Sequence, residues 1–492
     1  MTENVREITE EIVVSDPWQR WFFRLLGILT LLRLFLSVYL DLTPDESYYW
    51  ELSRRLDWSY FDHPPMVAWL IALFGVLPGE HELHIRLISV IGSGFAGWCL
   101  FCIGRDFLKS SKIGFIAAFM MSFTPAGVAV GFVTTPDTPL MLAWSAGCLA
   151  FLKAINDSRD RWWIVTGLML GFGALSKYNM IMFVPGVAVT ILGFKKYRHL
   201  VFTRRYWLMV LLAAAGTVPV IYWNMAHDWI SFRFQFDHGL SANTRPFFRN
   251  FGEYLGGQLG TLGPVLFPVL WFVVCRSAWR SWRLNDEVRF ILAWMALPTM
   301  LLFTRTATMA KVEANWPQVA YLSAFLLVSE WLTLGENPRR RFKWVVGPSL
   351  FLSIIALVQS ITLVLPLPVR SDVTVRMHGW EQMGEALKKV DAATGKKALF
   401  VVQGTTLTTL VGYYGEIESD RIVELFVNGN FRIWWKDRVI EPGREIVFVD
   451  ADHYPETARF ATKFSQTSTE AFDIFSCGKK VRRINLTRMS GL

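Results

Sequence analysis

Residues 21–51 read WFFRLLGILTLLRLFLSVYLDLTPDESYYWE, an apolar run followed directly by an acidic and aromatic segment. The hydrocarbon core of a bilayer, ~30 Å thick, takes about 20 apolar residues in a helix. The stretch therefore predicts a membrane-spanning helix over 21–41 that ends with carboxylates at the membrane boundary. Residues 1–20 are acidic and lack the pattern of a cleaved signal peptide, so we expect them to remain as an N-terminal segment.

The composition extends this prediction to most of the chain. Of 492 residues, 52% are hydrophobic and 18% are charged, against about 25% charged in soluble domains. This excludes a disordered chain, and five scattered cysteines exclude a disulfide scaffold. We expect an all-α polytopic membrane protein with about eleven spans. The expected spans lie near 21–41, 87–104, 113–133, 138–152, 162–176, 180–194, 206–223, 262–275, 290–304, 317–332 and 344–365.

Basic residues are unevenly divided between the two alternating sets of loops. One set of five loops holds nineteen Lys and Arg residues, and the other set, although longer, holds nine. Because cytoplasmic loops carry the excess of positive charge, we expect the first set and the N-terminus to be cytoplasmic. The net charge of +9 is then mainly a topological signal, so we expect no nucleic-acid partner.

The chain changes character after Pro366-Leu-Pro368. Short runs typical of strands alternate with helical patterns from there to residue 492, which predicts a small outer α/β domain after a membrane domain over 21–365. The strand-like runs are 398–402, 422–427 and 445–451, and the helical patterns are 380–393 and 454–464.

Ionisable side chains concentrate in the loops that we assign to the outer face, above all in the first loop, 42–86. The singled-out residues are Asp45, Glu46, Asp62, His63, Asp137, Lys177 and Tyr178. Each has a structural alternative, because helix caps, turns and interfacial anchors use the same residue types. Transporters more often place such groups at the bilayer midplane. The pattern therefore favours an active site at the outer face.

Taken together, these segments resemble a known family. DESYYWE and YFDHPP in the first loop, TPDTP at 135–139, LSKY at 175–178 and KVEANWP at 311–317 are its motifs, with an HDW and HGL pair between the last two. They resemble the GT-C glycosyltransferases of the protein O-mannosyltransferase superfamily, which includes the lipid A aminoarabinose transferases of bacterial inner membranes. The resemblance covers roughly 20–335.

This resemblance implies inverting transfer of a sugar from a polyprenyl-phosphate donor to an envelope glycolipid or glycan, outside the bacterial inner membrane. Asp45 matches the catalytic aspartate of the first loop, which would act as general base. Asp137 matches a second catalytic acidic residue. Lys177 and, second to it, His63 match the positive charge that would stabilise the phosphate leaving group. Glu46, Asp62 and Tyr178 are expected to bind substrate.

One position departs from the family pattern. Aminoarabinose transferases carry a glutamate and a lysine where this chain has Asp62-His63, which weakens any inference about the sugar. The change opens a second alternative, a divalent metal held by Asp62 with His227 or His238. No cofactor is otherwise expected.

Two further groups are candidates for substrate binding. Arg33 lies in the middle of the first span, where a cation needs a partner or a function. Lys311, Glu313 and Asn315 open the tenth span and suit sugar or phosphate recognition, although helix capping is an equal alternative. The competing function classes are a polytopic lipid or sugar transporter and a non-catalytic scaffold.

Overall fold

The computed structural model describes residues 16–78, 81–157, 159–239, 245–334, 336–425, 429–434, 444–451 and 464–490. This part of the chain contains twenty α-helices. They are α1 Pro17–Tyr39, α2 Pro44–Ser53, α3 Met66–Phe74, α4 His81–Asp106, α5 Ser111–Phe123, α6 Pro125–Val130, α7 Asp137–Asn156, α8 Asp160–Ser176, α9 Phe183–Gly193, α10 Arg204–Ala215, α11 Val218–Ala226, α12 Ile230–Gly239, α13 Phe247–Leu262, α14 Leu266–Leu284, α15 Glu287–Thr306, α16 Gln318–Thr333, α17 Pro338–Thr362, α18 Trp380–Ala393, α19 Thr405–Gly415 and α20 Gly429–Trp434.

Each expected span overlaps a helix, but not every helix is long enough to cross a bilayer alone. Among the described residues, six helical segments are sufficiently long and apolar, and up to eight if two bent pairs are each counted as one span. The six are α1, α4, α7, α10 with α11, α15 and α17. The expected count of eleven is thus higher than length and composition support. The chain is a multi-pass membrane protein.

Helix breaks explain part of this difference, and the shortness of α8 (17 residues) and α16 (16 residues) explains another part. The expected span 113–133 is divided between α5 and α6, because Thr124 caps a new helix that begins with Pro125. The helices α13 and α14 meet at 96°. Gly263, between them, has φ +102°, and a Cβ there would lie 2.8 Å from the Cβ of Ser349. Only glycine fits this turn.

The C-terminal part forms one five-stranded sheet. Parallel strands β1 Leu399–Val402, β2 Ile422–Glu424 and β3 Ile446–Ala451 correspond to the three expected runs. The sequence did not predict the antiparallel hairpin of β4 Gln466–Ser476 and β5 Lys479–Ser490. The sheet order is β2-β1-β3-β5-β4. The helix expected over 380–393 is α18, and the one expected over 454–464 falls almost wholly outside the described residues.

The first outer loop and the C-terminal part share one hydrophobic core. Leu42, Tyr49 and Leu52 are buried in the same cluster as Leu410 of α19 and Phe400 of β1. Hydrogen bonds reinforce this packing. They join Ser47 Oγ to Thr409 Oγ1 (2.8 Å), Tyr414 Oη to the Leu42 backbone N–H (2.6 Å) and Asp41 Oδ2 to the Trp380 backbone N–H (2.7 Å). The C-terminal part therefore holds the first loop in place above the membrane helices.

Candidate active site

Asp45 lies at the start of α2, where the helix emerges beyond α1. Thr43 and Glu46 form a reciprocal capping box, and Pro44 is the first helical residue. This local pattern fixes the helix start, because each capping side chain satisfies a backbone N–H that the helix leaves free. Asp45 takes no part in the cap. Its side chain is exposed and makes no hydrogen bond or ion pair with any described residue.

Glu46 faces the opposite way and is fully buried against Arg86 of α4. Arg86 donates from Nε to Glu46 Oε1 and from Nη2 to Oε2, both at 2.8 Å. The same carboxylate accepts the backbone N–H groups of Thr43 (2.9 Å) and Thr134 (3.0 Å). Neither side chain has exposed surface. The expectation that Glu46 binds substrate is therefore not supported, since its oxygens are engaged in joining α2, α4 and the loop before α7.

Asp137, Lys177 and Asn315 form a buried network from three distant parts of the chain. Lys177 donates from Nζ to Asp137 Oδ1 (2.8 Å), and Asn315 donates from Nδ2 to Asp137 Oδ2 (2.6 Å). Asp137 begins α7, Lys177 ends α8, and Asn315 precedes α16. The ammonium has three donors and uses one of them here among the described residues. The sequence-based candidates are thus brought together at one point.

Asp62 belongs to a second network that reaches into the C-terminal part. Its Oδ1 accepts from Tyr48 Oη (2.9 Å) and from Asn430 Nδ2 (3.1 Å), and its backbone oxygen accepts from Gln235 Nε2 (2.6 Å). Asn430 also accepts the backbone N–H of Phe61 (2.8 Å). Asp62 is thereby fixed between the first loop, α12 and α20.

His63 lies where the two networks and Asp45 converge. Its ring is half-buried, 3.4 Å from Tyr49 Oη and 3.9 Å from Asp62 Oδ2. Burial lowers the pKa of His63; the carboxylates of Asp62, Asp137 and Asp45 oppose this shift, and Lys177 adds to it. Burial lowers an imidazole pKa because the charged form loses hydration. The ring is therefore neutral at pH 7.

The remaining sequence candidates lie around this centre or apart from it. Tyr178 follows Lys177 and shares a hydrogen bond of 2.7 Å with Ser231. Lys311 and Glu313 are about half exposed and pair with each other at 2.7 Å. Arg33 is buried in α1 against Gly131, where a Cβ would lie 2.6 Å from the arginine Nε. Its guanidinium has no hydrogen-bond partner among the described residues and is separate from the Asp137 network.

The proposed metal ligands are not assembled. Within the described residues, no group of three or more His, Cys, Asp or Glu side chains is placed to hold a metal ion. His227 stacks on Trp223 at 4.0 Å between ring centroids, and its Nδ1 contacts the Trp223 carbonyl at 2.8 Å. His238 lies in α12, and its side chain is outside the described part. The set of Asp62 with these histidines is therefore not supported.

An apolar cavity of about 840 Å³ is lined by residues of α8, α9, α10 and α11. Tyr178, the residue after Lys177, is one of its wall residues. The walls are almost entirely aliphatic and aromatic, including Leu170, Val184, Val210 and Ile221. Such walls suit the isoprenoid or acyl chain of an amphiphile, and Lys177, next to Tyr178 in the chain, is the nearest cation in sequence to a wall residue.

Three contributions were missed from the sequence. In the sequence, Arg86 is a basic loop residue next to an apolar run. Basic residues are scarce in the loops expected at the outer face, and this scarcity could have marked Arg86 as a candidate. Tyr48 stands in the DESYYWE segment but carried no distinct signal. Asn430 had none, because it comes from a distant helix and acts through tertiary contacts.

Comparison with known proteins gives a family match and similar curated proteins. Residues 62–223 match the family described as Dolichyl-phosphate-mannose-protein mannosyltransferase. The chain is 29% identical over 316 residues to the lipid A galacturonosyltransferase RgtD of Rhizobium johnstonii, covering 64% of each chain. It is 25% identical over 331 residues to an undecaprenyl phosphate-alpha-4-amino-4-deoxy-L-arabinose arabinosyl transferase of Aeromonas hydrophila, covering 62% of this chain and 59% of that protein. The chain thus matches less than two thirds of the length of these relatives.

Solved structures show the same architecture. The fold is similar to that of ArnT from Cupriavidus metallidurans in the apo state, with a TM-score of 0.65 and 16% identity, covering 95% of this chain and 98% of ArnT. For ArnT bound to undecaprenyl phosphate the TM-score is 0.60, also at 16% identity, covering 94% of this chain and 97% of that one. The expected GT-C fold with a small C-terminal α/β part is confirmed.

Proposed function

We propose that this chain, with its GT-C fold and mannosyltransferase family segment, is an inverting glycosyltransferase that uses a polyprenyl-phosphate-linked sugar. The acceptor would be an envelope glycolipid, with lipid A favoured by the name of the relative RgtD. The chain would lie in a bacterial inner membrane. Its N-terminus would be cytoplasmic, and the active site and C-terminal part periplasmic, as the distribution of basic residues predicts.

Asp45 is the proposed general base. The acceptor hydroxyl oxygen attacks the anomeric carbon while its proton passes to the Asp45 carboxylate, and the bond from that carbon to the phosphate oxygen breaks on the opposite side. Asp45 suits this role because it is exposed and has no partner among the described residues that would compete for the proton. Attack from the face opposite the leaving group inverts the anomeric centre.

Lys177 is the proposed stabiliser of the polyprenyl phosphate that leaves. Two of its three donors are free of described partners, and they can receive the phosphate oxygens as negative charge develops. Asp137 holds the ammonium in position and is itself held by Asn315, so we assign Asp137 a positioning role. His63, neutral at pH 7, would donate one hydrogen bond and contribute no full charge.

The apolar cavity supports a lipid-linked donor. It begins at Tyr178, the neighbour of Lys177, and its volume of about 840 Å³ accommodates several isoprene units. A nucleotide-sugar donor would need a polar site of comparable size, and the cavity walls carry no charged side chain and only four residues with a polar side-chain group, Tyr178, Tyr206, Thr217 and Trp229. The donor phosphate would therefore sit at Lys177 with its lipid chain in this cavity.

The observation that carries the proposal is the free carboxylate of Asp45 beside the buried Asp137–Lys177–Asn315 network. The test uses purified full-length protein with lipid A and undecaprenyl-phosphate-linked aminoarabinose, galacturonic acid and mannose in turn. We expect one donor to give glycosylated lipid A by mass spectrometry. We expect Asp45→Asn to lower the rate by at least about 100-fold, with unchanged thermal unfolding.

The matched control is Asp57→Asn in the same loop, which removes a carboxylate that accepts from Trp223 and should retain transfer. Lipid flipping in liposomes without any glycosidic product would instead indicate a transporter. Full activity of Asp45→Asn would remove Asp45 from its role.

A further inference from the structure

A second cavity, of about 600 Å³, lies in the C-terminal part and is unrelated to the apolar one. Its walls come from the segment after α17, the first turn of α19, the end of β3 and the start of β5. The wall residues include Pro44, Arg370, Arg376, Thr406, Lys480 and Arg482. The cavity is therefore formed by elements far apart in sequence and is a property of the tertiary fold.

Four basic side chains line this cavity, and the one acidic side chain in its walls is already engaged. Asp372 is buried, with Oδ2 accepting from Gln359 (2.6 Å) and Oδ1 from Thr374 (2.6 Å). Arg370 and Arg376 are exposed, and their guanidinium groups make no hydrogen bond or ion pair with described residues. Two free cations at a concave surface attract an anionic ligand.

The other two basic residues differ in how firmly their side chains are held. Arg482 is held in place, because it donates to the carbonyl groups of Val375 (3.0 Å) and His378 (2.9 Å) and lies 3.3 Å from the ring centroid of Trp380. Lys480 pairs with Asp473 at 2.6 Å and stands about 43% exposed. The cavity thus combines one rigid guanidinium with three cations that can reorient toward a ligand.

The backbone adds a second anion-binding element. The helix α19 begins beside the cavity, and its N-cap is Gly404, with φ +93° and no side chain to satisfy the first N–H groups. The N-terminus of a helix attracts anions through those N–H groups and the helix dipole. This edge also carries the carboxyl ends of the parallel strands β1 and β3, where open α/β sheets commonly bind ligands.

The cavity is close to the proposed general base. Pro44, which lines it, is the residue before Asp45 and the first residue of α2. The hydrogen bond between Ser47 of α2 and Thr409 of α19 ties the two sites together. A molecule bound in the cavity is therefore well placed to present another part of itself to Asp45.

We infer that this basic cavity binds a phosphate group on the saccharide headgroup of the acceptor and so orients the acceptor hydroxyl toward Asp45. The inference rests on the proposed function and deepens it by naming how the acceptor is recognised. The shared chemistry is a negatively charged phosphate group, which a sugar phosphate monoester and free inorganic phosphate both supply. The ligand class is a phosphorylated glucosamine disaccharide.

The test measures binding to the full-length protein in detergent, with no donor present. The probes are fully deacylated lipid A, which is a 1,4′-bisphosphorylated glucosamine disaccharide, the same disaccharide without phosphates, and inorganic phosphate. We expect the bisphosphorylated probe to bind at least 10-fold more tightly than the other two, with affinity falling as salt rises. The double variant Arg370→Gln/Arg376→Gln should weaken its binding at least 10-fold.

The control is Arg483→Gln, which removes one positive charge from the residue of β5 next to Arg482, on the opposite face of the sheet, and should bind normally. Equal binding of the phosphate-free disaccharide, or unchanged binding by the double variant, would overturn the inference. Inorganic phosphate binding as tightly as the bisphosphorylated probe would also overturn it, by assigning the cavity to free phosphate.

The binding test of this cavity and the activity test of the proposed function can fail independently of each other. Asp45→Asn should bind the bisphosphorylated probe like the wild type, because Asp45 acts only in transfer. Absent binding in a protein that transfers sugar to lipid A would refute the cavity assignment alone. Normal binding in a protein that transfers no sugar would support the cavity and refute the proposed reaction.

Discussion

Glu46 and Arg86 form a bidentate ion pair with no exposed surface, and this pair joins the start of the first outer loop to the fourth helix. Arg86 also donates to the carbonyl groups of Leu40 and Asp41, at the point where α1 ends. The backbone that carries the free carboxylate of Asp45 is therefore held against α1 and α4 by the buried ion pair of the adjacent residue.

Removing one partner of the Glu46–Arg86 pair should destabilise the folded protein. Arg86→Met leaves a buried carboxylate without its cation, and we expect a loss of about 3–5 kcal/mol in the free energy of unfolding. The double variant Glu46→Leu/Arg86→Met should recover much of that loss, because no unpaired charge remains. Thermal unfolding in detergent measures both, with Arg105→Met at the exposed pair with Asp106 as the control. Equal destabilisation by the single and double variants would contradict the prediction.

The motifs in the outer loops were sufficient to predict the fold class and most residues of the centre. Asp45, Asp137, Lys177 and Asn315 follow from their chemistry and their order on one face. The partners that orient them could not be predicted. Arg86 acts through an ion pair across 40 residues of sequence, and no local pattern specifies such a contact.

The hairpin of β4 and β5 was missed for a different physical reason. Its first strand, Gln466–Ser476, is mostly exposed and polar, so it lacks the apolar run by which the buried parallel strands were recognised. The sequence did not predict where an apolar run is divided by Thr124-Pro125 or turned at Gly263, since hydropathy reports apolar content and not direction.

The Asp137–Lys177 pair should act as a unit in catalysis. Lys177→Gln removes the charge that stabilises the leaving phosphate, and we expect kcat to fall by about 100- to 1,000-fold. Asp137→Asn should also lower kcat by releasing the ammonium, and the double variant should be little worse than Lys177→Gln alone. Steady-state kinetics measure these effects, with Lys109→Gln in an exposed loop as the control. Additive losses in the double variant would argue against positioning by Asp137.

His63 should make donor binding depend on pH. Its lowered pKa keeps the ring neutral at pH 7, so only below its ordinary value of about 6.5 does it gain a charge that attracts phosphate. We expect the KM for the donor to fall as the pH is lowered below about 6.5, and His63→Gln to abolish that trend. The same shift predicts that the fold loses stability as pH falls through this range, since the unfolded chain takes up the proton first. An identical pH profile in His63→Gln would refute this role.

The contribution of Glu424 to stability has the opposite pH dependence to that of His63. Burial raises its pKa to about 7, and its Oε2 has no hydrogen-bond partner among the described residues. The folded chain therefore binds a proton that the unfolded chain releases near 4.5, so this contribution to stability is present at low pH and lost as pH rises through about 7. Glu424→Gln should stabilise the protein by up to about 3 kcal/mol at pH 8.5 and by little at pH 5. The exposed Glu418→Gln should show no such difference in thermal unfolding.

Filling the apolar cavity should discriminate between donors by the length of their lipid chain. Ala213 lines the cavity on α10, and Ala215 on the same helix is exposed and does not line it. We expect Ala213→Phe to raise the KM for an undecaprenyl-phosphate donor at least fivefold and to leave the KM for a two-isoprene donor within twofold, because only the long chain needs the inner part of the cavity. Ala215→Phe, with the same added volume on the exposed face, should leave both KM values unchanged. Equal effects of Ala213→Phe on the long and the short donor would mean that the lipid chain lies elsewhere, since a general distortion of the site near Lys177 would not depend on chain length.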